Sequence, residues 1–292
     1  MRATSVWMSA AFSVALGFVL STAGTQAAGK TPSYIAAAVK DSGRPEADTK
    51  RDKDRKPAEA LAFSGVKPGD KVAELIPAAG YYTRLLSKVV GPSGHVYMIV
   101  PPTPKGPPPG MARPGAGGPP GAAGPPGPGG PGAGAPGAAR PPMRRPNMMA
   151  MAKAITDNPE YSNVSVVELG PGPAFSLPEP VDVFWTTENY HDLHNLPDAD
   201  LSVFNKRVFE SMKNGGVYFI EDHAGGKGTG AGETKTLHRI EPDQVKKEVT
   251  DAGFDYVGQS RALHNPKDTH KDIVFKTADK TDRFMYKFRR GQ

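Results

Sequence analysis

The stretch Lys71 to Leu86, KVAELIPAAGYYTRLL, sets the limits on how this chain folds. Val72, Ala73, Leu75 and Ile76 form a near-continuous apolar run after the turn residues Lys67-Pro68-Gly69-Asp70. That is the pattern of a short strand covered on both faces. Pro77 to Gly80 then lead into a helix that puts Leu85, Leu86, Val89 and Val90 on one face, and Gly91-Pro92-Ser93-Gly94 ends it. His95 to Val100 reads as a second strand, so the segment is a βαβ unit, and such units build parallel α/β sheets. A strand entering a helix through a tight turn aims free N–H groups and the helix dipole above the strand, which suits an anionic or nucleotide-like ligand. The three alternating positions of a dinucleotide-type turn are held here by Ile76, Ala78 and Gly80, one glycine in three.

Two stretches lie outside this pattern. Arg2, an uncharged and mostly apolar run from Val6 to Leu20, and small polar residues from Ser21 to Ala28 read as a secretory signal covering residues 1–27. The mature chain then starts at Ala28 and is periplasmic or secreted, with no stable membrane anchor after cleavage. The alternative, a membrane anchor, has an apolar run of about 15 residues against the ~20 needed to span a bilayer. Pro101 to Pro146 holds 17 of the 31 prolines and 13 of the 34 glycines and no acidic residue. It reads as a disordered or polyproline-like insertion inside one domain, with a linker between two domains as the alternative.

The 292 residues include no cysteine, which excludes disulfides, thiolate metal sites and a cysteine nucleophile. The net charge of +6 is spread among acidic residues through the folded part, so nucleic acid is not an expected partner. Residues 28–60 read as an N-terminal arm, with the mixed-sign run Lys50 to Lys56 as a solvated arm or an outer helix. Residues 61–292 read as one domain. Ala58 to Phe63 and Met148 to Thr156 suit helices, and Val164 to Leu169 a buried strand with Glu168 near its end. Val181 to Thr187 is a strand running into Glu188-Asn189-Tyr190-His191-Asp192-Leu193-His194. Leu201, Phe204, Val208 and Met212 follow helical spacing, and Val217 to Ile220 is a strand ending in Glu221-Asp222-His223. Gly225 to Gly232 lacks the lysine-hydroxyl ending of a P-loop and reads as a mobile lid. Glu241 to Ala252 is an amphipathic helix. Asp255 to Gly258, Ile273 to Phe275 and Phe284 to Phe288 supply the closing strands, the last two as an antiparallel pair.

This order, with Glu74-Leu75-Ile76-Pro77-Ala78-Ala79-Gly80-Tyr81-Tyr82-Thr83, Val181-Asp182-Val183-Phe184 and Met212-Lys213-Asn214-Gly215-Gly216-Val217, resembles the class I S-adenosylmethionine-dependent methyltransferases. More specifically, Asn189 to Leu193, Asp222 to Ala224 and Leu237 to Ile240 resemble a family of secreted bacterial predicted methyltransferases. The resemblance implies an α/β fold, a doubly wound, mostly parallel seven-stranded sheet of Rossmann-like methyltransferase type. It also implies S-adenosylmethionine as cofactor and methyl transfer to a small-molecule acceptor. The candidate cofactor residues are Glu74, Pro77, Ala78, Gly80, Tyr81, Tyr82, Glu168 and Asn189, and the candidate catalytic residues are Tyr190, His191 and His223. Asp192 and Asp222 stand beside the two histidines as possible orienting groups. A non-catalytic envelope or binding protein that keeps the fold is the alternative. His191, His194, Asp222 and His223 also suggest a metal site. His-x-x-His alone is a weak signal, so no metal is expected.

Overall fold

The structure is a computed structural model that describes residues 31–103 and 147–291. The secretory signal with its cleavage site, and the predicted insertion apart from its first three residues, lie outside the described residues. No helix among the described residues is long and apolar enough to cross a membrane.

Four short helices open the chain: α1 (Ser33–Val39), α2 (Glu46–Thr49), α3 (Asp52–Arg55) and α4 (Pro57–Ser64). Then follow β1 (Lys71–Leu75), α5 (Tyr81–Val90), β2 (His95–Val100), α6 (Met148–Thr156), β3 (Val164–Glu168) and β4 (Val181–Thr187). The rest is α7 (Tyr190–Leu193), α8 (Leu201–Glu210), β5 (Met212–His223), α9 (Pro242–Asp251), β6 (Phe254–Ser260) and β7 (Arg283–Arg290). The seven strands form one sheet in the order β3-β2-β1-β4-β5-β7-β6. The first five strands are parallel, and β7 lies antiparallel between β5 and β6. This is the doubly wound, mostly parallel seven-stranded sheet expected from the sequence.

Both faces of the sheet are covered, which is why the middles of its central strands are apolar and their polar residues gather toward the ends. Val72, Val96, Met98, Trp185 and Phe219 face a core shared with α1, α4, α5 and α6. Leu75, Ile99, Phe184, Tyr218 and Ile220 face the opposite core with α7, α8 and α9. Helix α8 starts where Asp200 accepts hydrogen bonds from the N–H groups of Ser202 and Val203.

Two sequence expectations are corrected. Met212 is not the last residue of a helical stripe but the first of β5, paired with Val181; either geometry buries the same side chain. Ile273 to Phe275 forms no strand: Val274–Lys276 is a 3-10 turn, and the antiparallel partners of β7 are β5 and β6. Both edges of β7 are already filled, so a further strand has nowhere to pair. The run Lys50 to Lys56 takes the outer-helix form of its two readings, as α3, rather than that of a solvated arm. The Arg55 side chain is 7% exposed and pairs with Glu188 and Asp279, while Arg51 pairs with Asp279 at 2.6 Å.

Trp185 is fully buried, stacked on Phe219 at 4.1 Å and tilted against Tyr82 at 5.0 Å. Trp185→Ala is expected to lower the unfolding free energy by about 3–5 kcal/mol, measured by urea titration followed by circular dichroism.

Candidate functional site

The turn after β1 keeps the backbone of a glycine turn without the glycines. Ile76, Ala78 and Gly80 have φ values of 46°, 50° and 77°, all in the left-handed region. That region disfavours side chains, and a β-branched isoleucine most of all. The turn is fixed from below. Asn189 Nδ2 donates to the carbonyls of Leu75 (2.7 Å) and Ile76 (3.2 Å), and the Ile76 N–H donates to Ile99 O at 2.9 Å. Gly80 has a packing reason for its identity: a Cβ there would lie 2.1 Å from Ile155 Cδ1 of α6. The Ala78 and Ala79 side chains are left exposed.

Most of the other cofactor candidates act as supports. Glu74 is buried and accepts from Thr83 Oγ1 at 2.6 Å. Burial pushes its carboxyl up to about 7, against the pull of Thr83 and Arg84. Tyr81 donates to Asp52 at 2.7 Å under the Arg55 guanidinium, and Tyr82 donates to the buried Glu221 at 3.2 Å. Neither ring is free to stack on a ligand. Glu168 is different: it is exposed at the end of β3, in register with Val100 at the end of β2. Strand β2 itself ends without an acid, and Glu168 ends the neighbouring strand on the same edge of the sheet.

The candidate catalytic residues separate. The Tyr190 hydroxyl is buried away from the strand ends, donating to Glu248 of α9 at 2.8 Å and accepting from Asn205 of α8 at 2.8 Å. His191 and His223 stay close, with ring centres 5.9 Å apart, but in different surroundings. His191 Nδ1 stands 2.7 Å from Asp222 Oδ1 and, facing a carboxylate, carries the proton. Burial opposes charge on His191, but Asp222 and Asp192 outweigh it and raise the ring to about 10. His223 Nδ1 lies 2.7 Å from Thr281 Oγ1, and burial pushes this ring down to about 4. Two histidines that look alike in sequence are thus driven apart by environment.

The four suspected metal ligands do not converge. His194 turns to Glu248 at 3.3 Å, His223 to Thr281, and Asp222 is used up by His191 and two backbone N–H groups. The group that does converge is His191, Asp192 and His238. His238, 47 residues beyond His191, was not singled out as a ligand because nothing in its spacing marks it. The glycine-rich loop read as a lid is tied to the start of α9: Gly228 and Gly230 N–H groups donate to Glu241 at 2.8 Å each.

No family model matches the sequence, and no curated protein matches it. Among solved structures, the [4+2]-cyclase SpnF aligns over 86% of this chain and 85% of its own, at 12% identity and a TM-score of 0.50. An S-adenosylmethionine-dependent methyltransferase from Aquifex aeolicus aligns over 85% of this chain and 98% of its own, at 16% identity and a TM-score of 0.47. The N-methyltransferase NodS from Bradyrhizobium japonicum covers 85% and 99%, at 14% identity and a TM-score of 0.47. At these identities the likeness is one of fold. The chain has a seven-stranded, mostly parallel Rossmann-like sheet shared with the cyclase SpnF, and that likeness of fold carries no activity with it.

Two predictions test the turn. Ala78→Gly removes left-handed strain from an exposed position and is expected to raise stability by about 0.5–1 kcal/mol, the strain relieved less the chain entropy gained by the unfolded state. A shift of the denaturant midpoint reads it. Glu74 binds its proton more tightly folded than unfolded, so its contribution is complete below about pH 4.5 and is lost as pH rises through about 7. Relative to Glu74→Gln, the native protein is expected to lose about 3 kcal/mol between about pH 5 and 8, seen as diverging melting curves.

Proposed function

We propose that this chain is an exported S-adenosylmethionine-dependent methyltransferase of the secreted bacterial kind, acting on a small-molecule acceptor. The observation that carries the reading is the left-handed backbone at all three alternating positions, Ile76, Ala78 and Gly80. It lies where open α/β sheets place their ligand, outside the carboxyl ends of the strands. Strain of this kind persists only where surrounding contacts over-determine it, and it gathers at ligand clamps. The residues present fit the cofactor through the backbone of Pro77 to Gly80, opened by the small exposed Ala78 and Ala79, and through the exposed Glu168 carboxylate. Bound S-adenosylmethionine supplies an electrophilic methyl group, so the protein's task is chiefly alignment. Asn189 and Glu74 hold the turn in place for that purpose. The acceptor then sits at the ends of β4 and β5, where His223, kept neutral by burial, offers a ring nitrogen to its proton, while His191 is held charged by Asp222 and Asp192.

A second reading, a non-catalytic protein that keeps the fold, is favoured by one observation: Tyr81, Tyr82 and Asn189 all spend their polar groups on internal contacts. Titration calorimetry of the mature chain separates the two. Saturable one-to-one binding of S-adenosylmethionine and S-adenosylhomocysteine is expected, weakened about tenfold or more in Glu168→Ala by loss of a charge-assisted hydrogen bond. No heat with millimolar ligand overturns the cofactor reading and leaves the second.

A further inference from the structure

The convergence of His191, Asp192 and His238 is unexplained by methyl transfer. His191 Nε2 lies 3.2 Å from His238 Nδ1, and Asp192 Oδ1 lies 3.4 Å from each of those nitrogens. Three potential donors thus lie within 4.8 Å of one another, close enough to share one metal ion. Metal–ligand bonds of about 2.0–2.1 Å at tetrahedral angles place neighbouring donors about 3.3 Å apart, whereas octahedral angles at the same bond lengths place them about 3.0 Å apart.

The surroundings are those of a metal centre. Proton-bearing Nδ1 of His191 faces Asp222, the carboxylate–histidine arrangement that fixes the ring and aims Nε2 at the cluster, where a bound cation takes the place of the second ring proton. Asp222 is itself held by the N–H groups of His191 (2.9 Å) and His223 (2.7 Å). His238 sits at φ 55°, a left-handed position for a bulky residue. Its neighbours pin it there. Arg239, fully buried, donates to Ala224 O at 3.0 Å and to Asp272 O at 3.0 Å and pairs with Asp268 at 2.9 Å, while the Ile240 N–H donates to His223 O at 3.1 Å. The His191 side chain is 3% exposed, but Asp192 and His238 are 45% and 28% exposed, so the cluster opens outward on one side.

We propose that His191 Nε2, Asp192 Oδ1 and His238 Nδ1 bind a divalent transition ion of the zinc class, with the outward position open to water or to an anionic oxygen of a ligand. Two histidines and one carboxylate with an open fourth position form a donor set used by catalytic rather than purely structural zinc. The two carboxylates, Asp192 and Asp222, give the pocket the negative potential that a dication needs. This site is independent of cofactor binding at the β1 turn, and its test uses no turnover.

The mature chain, stripped with chelator, is titrated with Zn2+ and with Co2+ beside Asp192→Ala and His238→Gly, the latter chosen because glycine suits the backbone at that position. The wild type is expected to take one Zn2+ per chain, to melt at higher temperature with Zn2+, and to show the intense visible bands of tetrahedral Co2+. Each variant is expected to bind at least about 100-fold more weakly while melting like the metal-free wild type, and Asp222→Asn to bind about 10–100-fold more weakly. Equal Zn2+ uptake by the wild type and the Asp192→Ala/His238→Gly double variant overturns the proposal. So does a Co2+ spectrum of the weak six-coordinate type, or a wild-type melting temperature that ignores Zn2+; the cluster then holds a shared proton. Should the variants fail to fold, the wild-type Co2+ spectrum and stoichiometry decide.

Discussion

A buried ion network holds the ends of the strands against the N-terminal arm. Arg283, with its side chain 1% exposed, reaches Glu188 at 2.7 Å and Glu221 at 2.9 Å, and donates to the carbonyls of Asp54 and Asp279. Arg55 closes the circuit by pairing with Glu188 and Asp279. Signs alternate through the cluster, so each charge has an opposite neighbour. A desolvated network of this kind contributes modest net stability, but losing one partner strands a buried charge at about 3–5 kcal/mol. Its main effect is therefore on geometry: the arm has one place to sit. Burial works against ionised Glu188, yet Arg55 and Arg283 together hold its carboxyl below the usual range, while burial lifts Glu221 to about 7.

The strand period distributes these tasks. Glu221, Asp222 and His223 are consecutive at the end of β5, and alternate residues of a strand point to opposite faces. Glu221 turns to Tyr82 and Arg283 on the α5 face, whereas Asp222 turns to His191 of α7. His223 returns to the first face and meets Thr281. The sequence neighbours Asp222 and His223 are thus not a catalytic pair. Asp222 serves a histidine 31 residues earlier in the chain.

What was legible in the sequence was whatever local periodicity encodes. The apolar runs of β1 and β4, the α5 stripe and the placement of Asn189 to Leu193 beyond β4 all follow from spacing alone. Where the reading slipped, two periods agreed on burial, as at Met212, or a short apolar run lacked a sheet edge to join, as at Ile273 to Phe275. The site was less legible, because its decisive contacts join distant segments. Arg55 meets Glu188 across 133 positions, and Arg51 meets Asp279 across 228. The mixed-sign run Lys50 to Lys56 has the composition of a solvated face, and only the buried carboxylates opposite show why two of its arginines are fixed. His238 is hidden for the same reason: its partners come from a different strand end.

Backbone strain ties the two ligand-type features together. Of the seven non-glycine residues with left-handed φ among the described residues, Lys56, Asp198 and His270 lie elsewhere, while four, Ile76, Ala78, Glu188 and His238, at 46°, 50°, 55° and 55°, lie in the turns that lead from strands toward helices. They follow β1, β4 and β5, all on the carboxyl side of the sheet. Three of them are held by contacts to distant segments: Ile76 by Asn189 and Ile99, Glu188 by the Glu221 carbonyl and two arginines, and His238 through the anchored neighbours Arg239 and Ile240. A chain free to relax would lower its energy by about 1–2 kcal/mol at each such residue. The braces stop it from doing so, and the outcome is a rim of fixed backbone and fixed imidazoles. Ligand alignment requires side chains whose positions are settled before the ligand arrives.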